Sequence, residues 1–358
     1  METHVKRSIR HCLEMIAPFE ASERQKEEGQ LQFYRFMVSI YEGMYENPEE
    51  YLVFPAPYEE YISKREQRQA GAAKEKEHTS DPKESMLRNA FQQAIQFYTS
   101  YFLCLGSKCI GLDESSGALV IEKEKYLDVL EEMRDIYESK YNEGRYEVLA
   151  KLGIQNEERE NKIYIVHKEC RRAMEGLLYL AKAPYGRYRR MNFYRLDYKN
   201  AYLESPTVED ICKTLPEESS QIVQKLEEAI AGMKIKTKIK PLRGIVSDFK
   251  WKVEYIYKKK NVCGFYADRD YFMLCIHFNH FQNITDFATA LQEENEDLFQ
   301  WFKKQFPERL CSCQSNRKVY FGDEPRRICG LSNRAEIVSP CEEDVENALY
   351  VLKKYRNI

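Results

Sequence analysis

The chain has 358 residues, and its 55 lysines and arginines against 58 aspartates and glutamates leave a net charge of −3. That length exceeds what one hydrophobic core usually serves, so two domains are expected. The near balance of charge excludes an overall field that would attract nucleic acid or an acidic membrane. Any such binding would need a local patch of charge.

The sequence predicts a cytoplasmic protein with no membrane partner. Its N-terminus, METHVKRSIRHCLEMIAPFE, contains no apolar signal-peptide core. Uninterrupted apolar runs are about as long as YFMLCI, far short of the roughly twenty residues of a membrane span. In a reducing compartment the eleven cysteines are expected to be mostly free thiols, and their odd number fits no closed disulfide framework.

Two long helices are predicted in the first part of the chain. Residues 22–46 and 81–106 carry apolar side chains at spacings of three and four, the pattern of a helix with one buried face. Asp81 and Pro82 suit the start of the second helix, and Gly106 suits its end. Residues 63–80 between them are polar and low in complexity, which predicts a mobile loop. The predicted buried stripes are Leu31, Tyr34, Met37, Val38, Tyr41 and Met44 in the first helix, and Leu87, Phe91, Ala94, Ile95, Tyr98 and Phe102 in the second.

The chain changes from helical to β-rich texture near residue 234. Before that point, 117–123 and 162–168 predict strands that each lead into a helix. After it, the predicted strands are 234–242, 251–257, 262–267, 271–278, 318–322 and 335–339, and the predicted helices are 284–306 and 342–355. The fold class is therefore α+β: a mainly helical N-terminal domain over 1–232, followed by a small antiparallel-sheet α+β domain over 233–358.

The stretch WKVEYIYKKKNVCGFYADRDYFMLCIHF, residues 251–278, resembles a bacterial family of uncharacterised small α+β domains, YdhG-like in general shape. The matching positions are Trp251, Val253, Tyr255, Cys263, Tyr266, Tyr271 and Phe272. Three positions depart from the family pattern: Glu254 stands for a lysine, Ala267 for a proline and Lys250 for a glycine. The resemblance covers about a third of the chain and implies a compact α+β domain, but it implies no catalytic residues.

Four cysteines near the C-terminus are a candidate metal site. Four thiolates can hold Zn²⁺ in a tetrahedral site, and the candidates are Cys311, Cys313, Cys329 and Cys341. A zinc knuckle normally spaces its first pair as C-x₂-C, because that turn directs both sulfurs to one point, whereas Cys311-x-Cys313 is one residue shorter. A reversible redox pair and plain thiols are the alternatives, and the spacing favours plain thiols.

The segment APYGRYRRMNFYRLDYKNAY, residues 183–202, interleaves basic and aromatic side chains. Arginine beside aromatic faces grips single-stranded nucleic acid and other flat anionic ligands through stacking and phosphate contacts. The predicted ligand-binding residues are Arg187, Tyr188, Arg189, Arg190, Tyr194 and Arg195. The alternative is a packed segment whose tyrosines fill the core and whose arginines pair with nearby glutamates. With five cations against one carboxylate, we predict this segment as the most basic local patch and the surface for an anionic ligand or protein partner.

The remaining motifs favour a binding protein over an enzyme. Two predicted helices, TVEDICKTL and EESSQIVQKLEEAI, have the length and tight turn of a helix-turn-helix, but the glutamates of the second balance its glutamines and lysine. No Gly-rich phosphate loop, dinucleotide fingerprint, nucleophile elbow or zinc-protease motif occurs. We therefore expect a non-enzymatic ligand-binding or protein-interaction module without a cofactor. A nucleic-acid-associated regulator and a metal- or redox-responsive protein built on the C-terminal cysteines are the alternatives.

Overall fold

The computed structural model describes residues 9–10, 12–13, 27–53, 60, 63, 82–135, 141–204, 206–231, 233–241, 250–268, 271–277, 284–306, 316–329 and 334–356. Within these ranges the side chains of 82–88, 187, 271, 316–317, 329 and 355–356 are not described. Contacts between Cα atoms divide the chain into two units, the first ending at Glu204 and the second beginning at Ser205. The sequence placed this boundary after residue 232. The loop predicted at 63–80 lies outside the described residues from 64 onward.

The first unit is mainly helical, as predicted, with one small sheet. Its helices are α1 (Glu28–Glu46), α2 (Pro82–Lys108), α3 (Lys123–Arg134), α4 (Asn142–Lys151), α5 (Ala173–Ala181) and α6 (Gly186–Tyr194). Its strands are β1 (Gly111–Leu112), β2 (Leu119–Glu122), β3 (Ile154–Arg159) and β4 (Lys162–His167). The sheet has the order β1-β2-β4-β3 with every neighbouring pair antiparallel.

Helix α1 buries a face next to the predicted one. Leu31 and Val38 of the predicted stripe are only partly buried, whereas Phe33 and Phe36 are buried. The Phe33 ring lies 6.0 Å from the Phe102 ring of α2 in an edge-to-face arrangement. Because α1 is apolar on two adjacent faces, spacing alone could not choose between them, and the larger rings occupy the interior.

Helix α2 follows the predicted stripe but runs past its predicted end. Phe91, Ala94, Ile95, Tyr98 and Phe102 are buried as predicted. The helix continues through Gly106 to Lys108. A Cβ atom at Gly106 would lie 2.4 Å from the Ala181 Cβ and 2.6 Å from a Leu177 methyl carbon. This glycine therefore permits a close crossing of α2 and α5 and does not end the helix.

The second unit places helices and a small hairpin around a larger sheet. Its helices are α7 (Val208–Cys212), α8 (Glu217–Ile230), α9 (Ile284–Glu294), α10 (Glu296–Lys304) and α11 (Glu342–Arg356). Its strands are β5 (Ile235–Pro241), β6 (Trp251–Tyr257), β7 (Lys260–Asp268), β8 (Tyr271–His277), β9 (Asn316–Phe321), β10 (Glu324–Cys329) and β11 (Arg334–Val338). Five strands form an antiparallel sheet of order β11-β8-β7-β6-β5, and β9 pairs with β10 separately. The α+β class, with a helical region followed by a sheet-rich region, is confirmed.

The region predicted as one helix over 284–306 forms two helices. The sequence predicted a single helix over 284–306, but α9 ends at Glu294 and α10 begins at Glu296. Asn295 between them has extended backbone angles, and its side-chain oxygen accepts a hydrogen bond of 3.0 Å from the Leu298 N–H. Asparagine is a favoured helix N-cap, so it starts a new helix without any proline or glycine.

Strands β5 and β6 of the five-stranded sheet have an apolar and a polar face. Successive side chains of a strand point to opposite faces, so Val253 and Tyr255 of β6 share one face, and both are buried. The Tyr255 hydroxyl hydrogen-bonds to the Glu227 carboxylate, which places α8 on that face. The other face carries Lys252 and Glu254 of β6.

Candidate functional site

The polar face of the sheet extends onto β5 as a row of lysines. In β5, Ile239 pairs with Val253 of the apolar face, and Lys240 pairs with Lys252. The residues that alternate with Ile239 therefore belong to the polar face, and these are Lys236, Lys238 and Lys240. Since β5 ends the strand order of the sheet, this row lies along a sheet edge.

Lysines are concentrated around this edge. The described stretches 233–241 and 250–260 contain nine lysines and a single carboxylate, Glu254, in a chain whose net charge is −3. We call eight of them the lysine edge: Lys234, Lys236, Lys238, Lys240, Lys252, Lys258, Lys259 and Lys260. The ninth, Lys250, is buried beside Trp251. Because the whole chain is slightly acidic, binding of a polyanion needs a local patch of positive charge, and the lysine edge is such a patch.

Five members of the lysine edge have no bonding partner among the described residues. These five outer lysines are Lys234, Lys236, Lys238, Lys259 and Lys260, and all are exposed. None makes a hydrogen bond, an ion pair or a ring contact with a described residue. The ammonium of Lys258 lies 4.9 Å from the centre of the Tyr257 ring. The outer lysines are therefore charges that a partner could use without first breaking a contact.

The two inner lysines hold the only carboxylate of the patch. Lys240 Nζ lies 2.5 Å and Lys252 Nζ 2.9 Å from oxygens of Glu254, which is 7% exposed. Burial acts to raise the pKa of Glu254, but hydrogen bonds from both ammonium groups outweigh it and lower the pKa below its ordinary value. Glu254 therefore stays ionised at neutral pH and neutralises part of the positive charge of Lys240 and Lys252. It does not neutralise the charge of the outer lysines.

A second set of polar contacts anchors the centre of the same face. Tyr266 of β7 lies between Lys252, whose Nζ is 5.3 Å from the ring centre, and Arg334 of β11, whose Cζ is 5.8 Å from it. An Arg334 N–H also donates a 3.2 Å hydrogen bond to the Tyr266 hydroxyl. These cation–π contacts position Lys252 and fix the centre of the sheet face.

The cysteine on this face is not a reactive group. Cys275 of β8 packs with Tyr266 and Met273 and is buried. Burial raises the pKa of the Cys275 thiol to about 12. Because the thiolate is the nucleophile and the metal ligand, a thiol protonated at neutral pH suits neither role. The chemistry of this face is that of fixed ammonium groups.

The hairpin that joins β6 to β7 holds two lysines in an uncommon backbone conformation. Tyr257 pairs with Lys260, so Lys258 and Lys259 alone form the turn, with φ values of 45° and 67°. Two-residue hairpin turns with both φ values positive favour Asn-Gly, because a side chain with a Cβ is disfavoured in the left-handed region. The chain places two cations at positions where asparagine and glycine would cost less conformational free energy.

The segment predicted to bind an anionic ligand is mostly part of the core. Tyr188, Tyr194 and Arg195 are 6%, 3% and 4% exposed, so they do not form a surface. Arg189 is half-buried and donates to the Ala181 carbonyl at 3.4 Å. Arg190 is exposed and both hydrogen-bonds to the Tyr194 hydroxyl and lies over its ring. The side chain of Arg187 lies outside the described residues.

This outcome has a simple physical reason. Tyrosine and arginine both have long apolar parts, so their interleaving in a sequence does not say which of them faces water. Here the helix α6 and the residues after it direct Phe193, Leu196 and Tyr198 into the core of the first unit. The sequence ranked this segment as the most basic patch, but the stretches that carry the lysine edge are more basic.

The predicted cysteine site falls largely outside the described residues. Cys311 and Cys313 are not described, and neither is the side chain of Cys329 in β10. Cys341 is exposed, and its backbone N–H donates a 2.9 Å hydrogen bond to Asp344. Within the part of the chain that the structure describes, no group of three or more metal-ligating side chains occurs. The zinc and redox hypotheses stay predictions.

The two helices that suggested a helix-turn-helix are engaged within the second unit. Thr207 and Asp210 form a capping box at the start of α7. Helix α8 buries its apolar face, and its Lys225 forms an ion pair with Glu342 of α11. With Lys225 paired and Gln221 lying 3.5 Å from a Glu217 oxygen, α8 presents few free donors for base edges or phosphates.

Comparison of the chain with protein-family models, with curated proteins and with solved structures finds no match in any of the three. The resemblance of residues 251–278 to small bacterial α+β domains therefore stays a prediction. Among the described helices, none has both the length and the apolar character needed to cross a membrane. Function is therefore inferred from the geometry of the chain itself.

Proposed function

We propose that this protein is a non-enzymatic binding module and that the lysine edge of its second unit holds an anionic partner. The observation that carries the proposal is the set of five outer lysines, exposed and without bonding partners among the described residues. Ammonium groups bind anions as compact point charges. We also propose that the protein works in the cytoplasm, where its eight described cysteines, all free thiols, would stay reduced.

Lysines on a sheet edge also have a structural use. They discourage pairing with the edge strand of another molecule, and β5 is such a strand. That use accounts for Lys236 and Lys238 but not for Lys258 and Lys259, which lie in a turn at a conformational cost. Protection of the edge and binding of an anion are compatible, and the turn lysines favour binding as the additional role.

The test is binding to a generic polyanion. We expect the purified full-length protein to be retained on a sulfated-polysaccharide column at low salt. The variant Lys236→Glu/Lys238→Glu should elute at clearly lower salt. The matched control is Lys162→Glu/Lys168→Glu, which changes two exposed lysines of the first unit and alters the net charge equally. Equal elution of the two double variants would contradict the assignment of the site.

A further inference from the structure

We infer that the anionic partner is a nucleic acid, bound through its phosphodiester backbone along β5 without recognition of individual bases. This inference rests on the proposed function and narrows it to one class of partner. Three observations carry it: the spacing of the lysines and, among the described residues of β5, β6 and β7, the absence of a large exposed apolar side chain and of an exposed aromatic ring on which a base could stack.

The spacing of the lysine row matches a repeating anion. Alternate residues of an antiparallel strand are about 6.8 Å apart, so the backbone positions of Lys236, Lys238 and Lys240 repeat at that interval on one face of β5. The Lys240 ammonium is already paired with Glu254. Consecutive phosphates of an extended nucleic-acid strand repeat at a similar interval. Lys259 and Lys260 continue the positive charge at the hairpin end of the same sheet.

The composition of the patch argues against a protein partner. Protein interfaces are depleted in lysine and are centred on buried aromatic or aliphatic anchors. Large exposed hydrophobic side chains do occur among the described residues, namely Ile110, Leu127, Tyr202, Tyr320, Val338 and Tyr350. None of them lies on β5, β6 or β7. A surface of exposed lysines without an apolar anchor fits contact with phosphates, where lysine is a common partner.

The same surface does not offer recognition of bases. Sequence-tolerant binding of unpaired bases relies on exposed aromatic platforms, but Tyr266 on this face is buried between Lys252 and Arg334. Specific reading of bases relies on bidentate side chains such as arginine, asparagine and glutamine. On β5 and in the turn between β6 and β7, the only charged donors among the described residues are lysines. The expected binding is therefore independent of sequence.

The salt dependence of binding gives a number. Each phosphate neutralised contributes about −0.7 to the slope of log K against log salt for a single strand and about −0.9 for a duplex. If the five outer lysines each engage one phosphate, the slope is about −3.5 for single-stranded and about −4.5 for duplex DNA. Removing two of the five should reduce the steepness by about 1.4 and 1.8, respectively.

The experiment measures binding of the full-length protein to fluorescein-labelled DNA by anisotropy. Single-stranded and duplex oligonucleotides of about 20 nucleotides are longer than the roughly 14 Å between Lys236 and Lys240 of β5, and affinities are compared between about 50 and 200 mM salt. The variant is Lys236→Gln/Lys238→Gln and the control is Lys162→Gln/Lys168→Gln. Direct binding of labelled polyglutamate and of the labelled sulfated polysaccharide is measured in parallel. Circular dichroism verifies that each variant is folded.

Each outcome decides. The inference is supported if either DNA binds with the expected slope, without preference for base sequence, and if only the β5 variant flattens that slope. The arm that binds more tightly identifies single strand or duplex as the source of the phosphates. Binding to polyglutamate or to the polysaccharide without binding to DNA overturns the inference and leaves the proposed function standing. Absence of binding to every polyanion overturns both the inference and the proposed function. DNA binding that is unchanged in the Lys236→Gln/Lys238→Gln variant overturns the assignment of the site to β5.

Discussion

The β6–β7 hairpin allows a test in which stability and binding change in opposite directions. Lys258 and Lys259 have φ values of 45° and 67°, which a residue with a Cβ adopts at a cost of about 1–2 kcal/mol. Replacing them by Asn-Gly, the pair preferred in this turn, should remove most of that cost. We expect Lys258→Asn/Lys259→Gly to raise the free energy of unfolding of the second unit by about 1–2 kcal/mol. The same change should weaken binding to a polyanion.

The two effects are measured separately. Both tryptophans, Trp251 and Trp301, belong to the second unit, so their fluorescence during urea unfolding reports that unit alone. Binding is measured by anisotropy with labelled single-stranded DNA. Because a two-unit chain need not unfold in one step, the tryptophan transition is the relevant one.

The first unit supplies a matched control. Glu160 and Asn161 form the two-residue turn between β3 and β4 with φ values of 46° and 63°. The variant Glu160→Asn/Asn161→Gly should relieve the same kind of conformational cost, leave the tryptophan transition unchanged and leave DNA binding intact. If the Lys258/Lys259 variant gains stability and binds as well as the wild type, these lysines have no part in binding. A loss of stability would refute the conformational argument itself.

Two further predictions concern packing and charge within the units. Glu254→Gln should lower the free energy of unfolding of the second unit by roughly 2 kcal/mol at pH 7, since it removes a carboxylate hydrogen-bonded to Lys240 and Lys252. Because the folded-state pKa of Glu254 is lowered, its stabilisation is present above the unfolded pKa and is lost as pH falls through the folded value. Wild type and variant should therefore converge in acid during urea unfolding, and a constant difference would contradict this. Gly176→Ala would place a Cβ 2.4 Å from a backbone oxygen and should lower the free energy of unfolding by about 1–3 kcal/mol. The thermal midpoint measured by circular dichroism should fall accordingly. The control Gly186→Ala places its Cβ where no atom lies within 4 Å and should leave the midpoint unchanged.

Periodicity in the sequence predicted the elements of the fold well where one face of an element is apolar. The stripe on α2 and the alternation in β5 each identified a real helix or strand, because burial of one face imposes the period. The sequence was less informative where an end or a face depends on a neighbour. Gly106 resembled a helix end but lies at a helix crossing, and Phe33 and Phe36 of α1 are buried against rings that α2 and other elements supply.

The candidate site was missed for a related reason. The alternation in KIKTKIKPL predicts a strand but does not indicate what its lysines face. Their significance depends on register, which joins them to Lys252 and to the hairpin lysines from separate parts of the sequence. A count of charge in a moving window would have found nine lysines and one glutamate in two neighbouring stretches. It would not have shown that Glu254 is paired with Lys240 and Lys252 and leaves the outer lysines without a carboxylate partner among the described residues.

The distribution of charge in the whole chain bears on how such an edge could act. Apart from these nine lysines and Glu254, the chain holds 46 lysines and arginines against 57 aspartates and glutamates. The excess of carboxylates in the rest of the chain disfavours contact of a polyanion outside the lysine edge. Because exposed charges more than about 8 Å apart are largely screened at physiological salt, the edge must act through its closely spaced lysines rather than through net charge. For that reason removing Lys236 and Lys238 should matter far more than the same change of charge elsewhere.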